Sequence, residues 1–385
     1  MIRFIIILLM FAMLYFDNIA SVVFGSSDNR GPFQAVFIIF IGFMLFISIY
    51  ECIKHNRIYI SNIFKSVTLI SVILLLGNFI IGPSGYYGTL RCMYSFAWMV
   101  LIFSMDNIFM YMNEKQVRNF TLLMACVFLY SVFNAIQAFF LMSALYDRTL
   151  IPSIYITVMF IPWILSIKYR IFGKFDVKLL LMFIMIIITI FSIKRGAILA
   201  VFAAIMVFYY KNTILNKGRA SIIKIVLCTI PFLLALVVID SYLGGSILSR
   251  FSTAEIQDGS GRAESNAFAL NLFFNPPTFF EFIFGFSDQS LTKGGEFIGH
   301  NDWLVFAMKN GLVGLLCFMS FFYILYKNAF HSKDPSISPS YCVLFIVMLL
   351  QSLYSTSYNP TIHPIMAMMY IGFAEAQIRK HKINS

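Results

Sequence analysis

Charged side chains are scarce in this 385-residue chain. Only 12% of its residues are charged, whereas 60% are hydrophobic and 17% are aromatic. Soluble domains carry about 25% charged and about 45–50% apolar residues. The composition therefore excludes an ordinary soluble domain and predicts an all-α integral membrane protein that crosses the bilayer many times.

Several motifs of well-known enzyme classes are also missing. The chain has no HExxH, DxD or P-loop motif, and its six cysteines are scattered, nearly all of them in or beside apolar runs. These cysteines are expected to be small buried side chains, not a disulfide framework. No metal, nucleotide or other cofactor is implied.

Long apolar runs account for most of the chain. A membrane-spanning helix needs about 20 predominantly apolar residues. Twelve candidate spans follow, at 2–24, 33–50, 62–82, 92–112, 120–145, 150–167, 179–193, 196–210, 222–242, 303–326, 341–354 and 362–374.

The distribution of lysine and arginine predicts the orientation. With the N-terminus in the cytoplasm, most of the 28 basic residues lie on the inner side, together with the basic C-terminal tail. The net charge of +11 therefore indicates membrane topology, and no nucleic acid is expected. Asp17, Asp106 and Asp240 lie near span ends, which predicts charges at the membrane interface.

One outward-facing connection, 243–302, is much longer than the others. It divides the chain into spans one to nine (1–242), a large periplasmic loop, and spans ten to twelve with a cytoplasmic tail (303–385). The loop contains "NLFFNPPTFFEFIFGF", which is too rich in aromatic residues for a disordered segment. The apolar residues before Pro276 predict a short amphipathic helix lying on the membrane surface.

The first candidate site is "SIKRGAILAV", in which Lys194 and Arg195 separate two short apolar runs. Charge at such a place is costly unless it reaches water or a partner. One interpretation is a pair of side chains that reach the interface and fix the helix ends. The other is an anion site on the outer face, because the planar fork of arginine binds phosphate bidentately and keeps its charge.

The second candidate site is "QDGSGRAESNAF" in the large loop, where Arg262 follows Gly261 at the start of a predicted helix. A helix N-terminus with an arginine in its first turn can bind an anion. The alternative is a capped surface helix with a solvated arginine. Arg250 is a weaker candidate for the same charge cluster.

The third candidate site is "GHNDWLVFAMKNGLVG". Asn301 or Asp302 is expected to cap the tenth span, with His300 just before it. A helix N-terminus disfavours imidazolium, so His300 is expected to stay neutral and able to accept a proton. The alternative is a solvated histidine at a helix start. Gly311 and Gly314 predict a small face that allows close helix packing.

The span count places Arg195, Arg262 and His300 on the same outer side. Two arginines and a neutral base suit a reaction with an anionic leaving group and a hydroxyl nucleophile, such as sugar transfer from a lipid diphosphate. Arg91 and Arg148 also face outward and are candidates to extend an anionic-substrate groove.

The same stretches resemble the O-antigen polymerase and O-antigen ligase superfamily of bacterial envelope enzymes. The segment from Arg195 to Leu199 matches its R-x3-L pattern. His300-Asn301, followed by Gly311 and Gly314, matches its H-[N/S/Q]-x9-G-x2-[G/T/V] pattern.

The large loop carries a weaker part of the resemblance. "SGR", ending at Arg262, is similar to an S-G-R element of that superfamily, and "FGFSD" from Phe284 is similar to its G-x-G segment. Ser287 stands where the second glycine is usual, and the tryptophan that often follows S-G-R is absent. The resemblance covers about Arg195 to Gly314.

The resemblance implies a metal-independent GT-C-type glycosyltransferase of the bacterial inner membrane, with both termini cytoplasmic and a periplasmic active site. As a polymerase, it would transfer a growing polysaccharide from undecaprenyl diphosphate to a lipid-linked repeat unit. Arg195 and Arg262 would bind the diphosphate, His300 would receive the proton of the acceptor hydroxyl, and Asn301 would orient His300 or cap the helix. The implied partners are the undecaprenyl diphosphate-linked oligosaccharide, the lipid bilayer and, as a candidate, a chain-length regulator protein.

Two other functions stay open. An O-antigen ligase, which transfers finished polymer to lipid A-core, shares both charged patterns, although Asp302 and the distribution of spans favour a polymerase. A polysaccharide flippase or transporter would predict polar residues near the middle of the membrane, and most spans have few of them.

Overall fold

The structure is a computed structural model of the whole chain. It describes every residue except 1, 24–30, 82–84, 147–153, 172–174, 217–229, 231, 242–244, 250–251, 253–262, 287–300, 355–361 and 385. Next to several of these gaps it describes the helix backbone without the side chains.

Helices make up nearly all of the described chain. In order they are α1 (Ile2–Val23), α2 (Gly31–His55), α3 (Asn62–Ile81), α4 (Gly85–Tyr111), α5 (Glu114–Tyr146), α6 (Ile154–Val158), α7 (Ile161–Leu165), α8 (Val177–Phe191), α9 (Arg195–Asn216), α10 (Phe232–Ser241), α11 (Ser246–Ser249), α12 (Ala263–Phe274), α13 (Phe279–Phe284), α14 (Asp302–His331), α15 (Ser338–Tyr354) and α16 (Ile362–Asn384). Within the described residues, β structure is limited to one antiparallel pair of two-residue strands, β1 (Arg170–Ile171) and β2 (Phe175–Asp176). The all-α prediction is confirmed.

Four helical segments are long and apolar enough to cross a membrane: Phe33–His55, Glu114–Gln137, Arg195–Leu215 and Asp302–His331. Several shorter apolar helices accompany them. Large apolar side chains are also exposed on helix surfaces, including Phe46, Ile53 and Phe133. Such surfaces are costly in water and are expected against lipid. The fold is thus compatible with a membrane protein, and the count of twelve spans stays a prediction.

The predicted span at 150–167 differs most from the structure. Its described part is two five-residue helices, α6 and α7, joined by a turn at Met159 and Phe160. Pro162 explains the break, because proline has no backbone N–H and its ring collides with the preceding helical turn. At 1.5 Å per residue, 12 residues reach about 18 Å, too short for a regular span.

The short helix α7 lies at the centre of the core. Trp163 is fully buried there, with Tyr370 packed edge-on at 4.9 Å and Phe373 stacked at 5.1 Å between ring centroids. Its indole N–H donates to the carbonyl of Met366. Nearby, Ser166 and the Tyr370 hydroxyl share a hydrogen bond of 2.6 Å. Polar atoms in this core therefore pair with one another, as burial requires.

The expected C-terminal tail is instead a continuation of the last helix. α16 runs ten residues past the predicted span 362–374 and packs closely against α4. The Arg379 guanidinium donates two hydrogen bonds to the Asp106 carboxylate, at 2.8 and 3.0 Å, and lies 4.8 Å from the Tyr59 ring centroid. Lys380 donates to the Met112 carbonyl, and burial lowers the pKa of this ammonium.

Two of the aspartates that are predicted at the membrane interface are buried within the protein. Asp106 is only 1% exposed and is paired with Arg379, so it is a buried ion-pair partner. Asp240 is also buried, and its carboxylate accepts the N–H of Leu248 at 2.9 Å. A local sequence pattern could not reveal the first pair, because its members are 273 residues apart. The side chain of Asp17 lies outside the described residues.

Candidate active site

Arg195 is the first residue of α9, after a tight turn that ends α8. The turn contains Ile193 with φ of +54°, a conformation that β-branched residues rarely adopt. The Lys194 carbonyl accepts the N–H groups of Ala197 and Ile198, both at 3.0 Å, which starts the helix. Two basic side chains thus lie at the positive end of the helix dipole, where an anion is favoured and a cation is not. The turn thus combines a sparsely populated backbone conformation with two basic residues at one helix start.

Gly196 fixes the start of α9 against two tyrosines. A Cβ atom at this position would lie 3.0 Å from Cβ of Tyr354, the last residue of α15, and 3.1 Å from Oη of Tyr155 in α6. Real Cβ atoms rarely have neighbours this close. Glycine beside Arg195 therefore allows α6, α9 and α15 to meet without displacing these side chains.

Asn301 caps α14, as one of the two sequence alternatives predicts. Its side-chain oxygen accepts the N–H groups of Trp303 at 2.9 Å and Leu304 at 3.3 Å. Asp302 is buried in the first turn, with 2% of its surface exposed. The proposed role of Asn301 in binding substrate stays a prediction, and its oxygen is engaged in the cap.

The last turns of α15 connect these two helix starts. Trp303 donates its indole N–H to Ser352 Oγ at 2.9 Å, and Gln351 donates to the Tyr155 carbonyl at 3.2 Å. Ser352 and Gln351 are fully buried. Since Tyr354 of the same helix end contacts Gly196, α15 ties the N-terminus of α9 to the N-terminus of α14.

Ser352→Ala tests this connection. The partly buried indole N–H of Trp303 would lose its acceptor, which costs about 1–3 kcal/mol of stability. Trp303→Phe made in the Ser352→Ala background should then cost less than in the native protein, because the N–H no longer needs a partner. The free energies of unfolding of the four proteins measure the coupling, and strictly additive changes would contradict the contact.

The helix that follows Arg262 is also packed on α14. Arg262 directly precedes Ala263, the first residue of α12. Ala269 and Phe273 of α12 form a small apolar cluster, separate from the main core, that includes Met308 of α14. Arg195 and the Asn301 cap therefore lie at helix starts that α15 connects, and α12 packs on the same α14.

The end of α13 packs against α14 at a point where α14 is interrupted. Gly311 has φ of +62° and ψ of −162°, so the helix is interrupted there. Phe286 N–H donates to the Met308 carbonyl at 2.8 Å, and a Cβ on Gly311 would lie 2.4 Å from the Ile283 carbonyl group. Gly285, with φ of +104°, is equally close to Lys309. The two glycines let backbone meet backbone without intervening side chains.

The predicted close helix packing is confirmed at Gly311, where the end of α13 at Ile283 and the following Gly285 approach the backbone. At Gly314 the neighbouring atoms belong to α14 itself. Gly314 is crowded by Asn310 of its own helix, since an added Cβ would lie 2.1 Å from Asn310 Cβ. The interruption at Gly311 therefore changes which part of the protein packs against this region of α14.

Gly311→Ala should strongly destabilise this region. A side chain at positive φ costs about 1–2 kcal/mol, and the overlap with the Ile283 backbone adds to that cost. Gly42→Ala is the matched control, because a Cβ there has no neighbour within 4 Å and replaces a glycine inside α2. We expect the control to be neutral or slightly stabilising. Equal thermal unfolding midpoints for the two variants would contradict the described break.

Several predicted site residues fall outside the part of the chain that the structure describes. They are His300, Arg262, Arg250 and Arg148, and their assignments stay predictions. Arg91 lies on α4, although its side chain is outside the described set. Among the described residues, no three His, Cys, Asp or Glu side chains form a group that could hold a metal ion.

Sequence reasoning missed the residues that join the helix starts. Trp303 carried a usable signal, since a tryptophan in the first turn of a packed helix usually needs a partner for its N–H. Tyr155, Ser352 and Tyr354 carried none, because their neighbours lie far away in the chain.

Comparison with known proteins adds no family assignment. The chain matches no protein-family model, and it matches no curated protein.

Proposed function

We propose that this chain is an O-antigen polymerase of the bacterial inner membrane, a metal-independent glycosyltransferase of the GT-C type with twelve spans and a periplasmic active site. The observation that supports the proposal best is the connection through α15. Arg195 at the start of α9 and the Asn301 cap at the start of α14 are linked by Gly196–Tyr354 and Trp303–Ser352 contacts.

In the proposed reaction, a hydroxyl of the non-reducing-end sugar of a lipid-linked repeat unit attacks the anomeric carbon of the growing chain. The bond between that carbon and the diphosphate oxygen breaks, and undecaprenyl diphosphate leaves. Arg195 and Arg262 stabilise the departing negative charge, and His300 takes the hydroxyl proton. Direct displacement inverts the anomeric centre.

The chemistry of the charged groups favours this reaction over transport. A diphosphate leaving group needs fixed positive charge where the negative charge develops, and guanidinium supplies it without losing its proton. Arg195 lies at a helix N-terminus, whose dipole adds to the same field. The partners in this proposal are the lipid-linked oligosaccharide, the surrounding bilayer and a chain-length regulator protein.

Purified protein in lipid nanodiscs, supplied with undecaprenyl diphosphate-linked repeat units alone, tests the proposal. We expect longer lipid-linked oligosaccharides to accumulate, since polymerisation needs no gradient and no lipid A-core. Transfer that occurs only after lipid A-core is added would identify a ligase. The absence of any transfer, with or without core, would leave a transporter as the better account.

A further inference from the structure

The segment formed by α12 and α13 has one apolar flank that is exposed among the residues the structure describes. Leu270 and Phe274 on α12 are 44% and 71% exposed, and Phe279 and Phe280 on α13 are 78% and 46% exposed. Exposing large apolar side chains to this extent would be unfavourable in water.

The opposite side of the same segment is attached to a candidate membrane span. Phe273 and Phe286 pack with Met308, Leu312 and Leu315 of α14. Those α14 residues lie about 9 to 20 Å from the start of the helix, at 1.5 Å per residue. The segment therefore lies along the side of α14 below its polar start.

α14, to which the segment is attached, has an exposed apolar face of its own. Leu316, Met319 and Tyr323 are 51%, 50% and 64% exposed, and their spacing of three and four residues places them on one helix face. α14 is long and apolar enough to cross a membrane, so this face is expected to meet lipid.

The exposed surface of α12 is divided into an apolar and a polar side. Successive helix residues are rotated by about 100°, so Phe274 lies about 40° from Leu270, whereas Asn271 lies about 100° from it. Asn271 is exposed and accepts a hydrogen bond from Asn275, and Glu264 is exposed near the helix start. This division is typical of a helix with one side in lipid and the other at the polar interface.

The hydrogen bonds of the segment also suit a nonpolar surrounding. Thr278 caps α13 by accepting the Glu281 N–H, and its hydroxyl donates to the Glu281 carboxylate at 3.1 Å. Near the interruption of α14, the Met308 carbonyl accepts a hydrogen bond from the backbone N–H of Phe286. Non-helical backbone is tolerated at membrane depth where protein groups satisfy it.

We propose that the flank made of Leu270, Phe274, Phe279 and Phe280 inserts among the acyl chains of the bilayer. The loop segment 263–286 then lies at the membrane interface, fixed to the side of α14, with its polar side toward water. This proposal rests on the membrane assignment and is independent of the polymerase reaction.

Spin labels at single cysteines test the insertion. Phe279→Cys and Phe274→Cys are made in a background whose six native cysteines are alanine, and each labelled protein is placed in nanodiscs. Met319→Cys on α14 is the lipid-facing reference, and Asn271→Cys is the matched polar control on α12. Power saturation then compares collisions with oxygen, which concentrates in lipid, and with a water-soluble nickel complex.

We expect labels at 279 and 274 to behave like the label at 319, with oxygen collisions exceeding nickel collisions, and the label at 271 to show the reverse. High nickel collisions at 279 would show a solvated surface and overturn the proposal. Low collisions with both reagents would show a protein-covered surface, such as a contact with a second copy, and would overturn it as well.

A second measurement avoids the cysteine replacements. Phe279→Trp in the otherwise native protein adds one tryptophan to the three present. Lipids with brominated acyl chains should quench the added emission, and aqueous iodide should not. The opposite pattern would refute the insertion.

Discussion

Arg195→Ala should lower the rate of chain elongation by about 100- to 1,000-fold. Removing one preorganised group that stabilises developing negative charge typically costs this much, about 2.7–4 kcal/mol in the transition state. Arg195 is the first residue of α9, and in the proposed reaction its guanidinium and the helix dipole would act on the same anion. Initial rates with purified protein and lipid-linked repeat units measure the effect.

Arg195→Lys separates charge from geometry. Lysine keeps the charge but lacks the planar fork, so we expect an intermediate rate. Arg57→Ala is the control, because this exposed arginine lies in the connection between α2 and α3, which the charge distribution places on the opposite side. Arg262→Ala and His300→Ala should also depress elongation strongly. Native rates in Arg195→Ala, with protein levels unchanged, would refute the assigned role.

Arg379→Ala should reduce the free energy of unfolding by about 3–5 kcal/mol. The substitution leaves the carboxylate of Asp106 buried without its counter-ion, and breaking a buried pair in this way typically costs that amount. The Arg379 contact with the Tyr59 ring is lost as well. The measurement is the unfolding free energy of purified protein in detergent.

His381→Ala, at an exposed position on the same helix, is the matched control and should change little. Asp106→Asn should restore part of the stability in the Arg379→Ala background, because it removes the buried charge that was left unpaired. If Arg379→Ala and His381→Ala behave alike, the ion pair does not stabilise the helix pair α4–α16.

The sequence was sufficient for the parts of the fold that depend on local patterns. Apolar runs predicted where most helices lie, and α8 agrees with its predicted span to within two residues. Several helices extend further than predicted, such as α9, which ends at Asn216 and not at 210. The cap at Asn301 followed from a short polar residue directly before an apolar run. The short helix over 263–274 followed from apolar residues ending before a proline. Its position on a membrane surface stays a prediction.

Tertiary contacts could not be predicted from local sequence patterns. Arg379 was assigned to a tail because its local sequence is polar, yet Asp106 on another helix keeps it in a helix. Gly311 was assigned to a regular helix face because spacing does not reveal positive φ. Ser352 and Tyr354 connect α9 with α14, but no local pattern distinguishes them from other residues near a helix end.

The saccharides of a strain that lacks this gene test the proposed polymerase function most directly. A polymerase defect should leave lipid A-core that carries a single repeat unit, since the ligation step remains while elongation is lost. Bare core together with accumulated polymeric lipid-linked saccharide would contradict the proposal and identify a ligase.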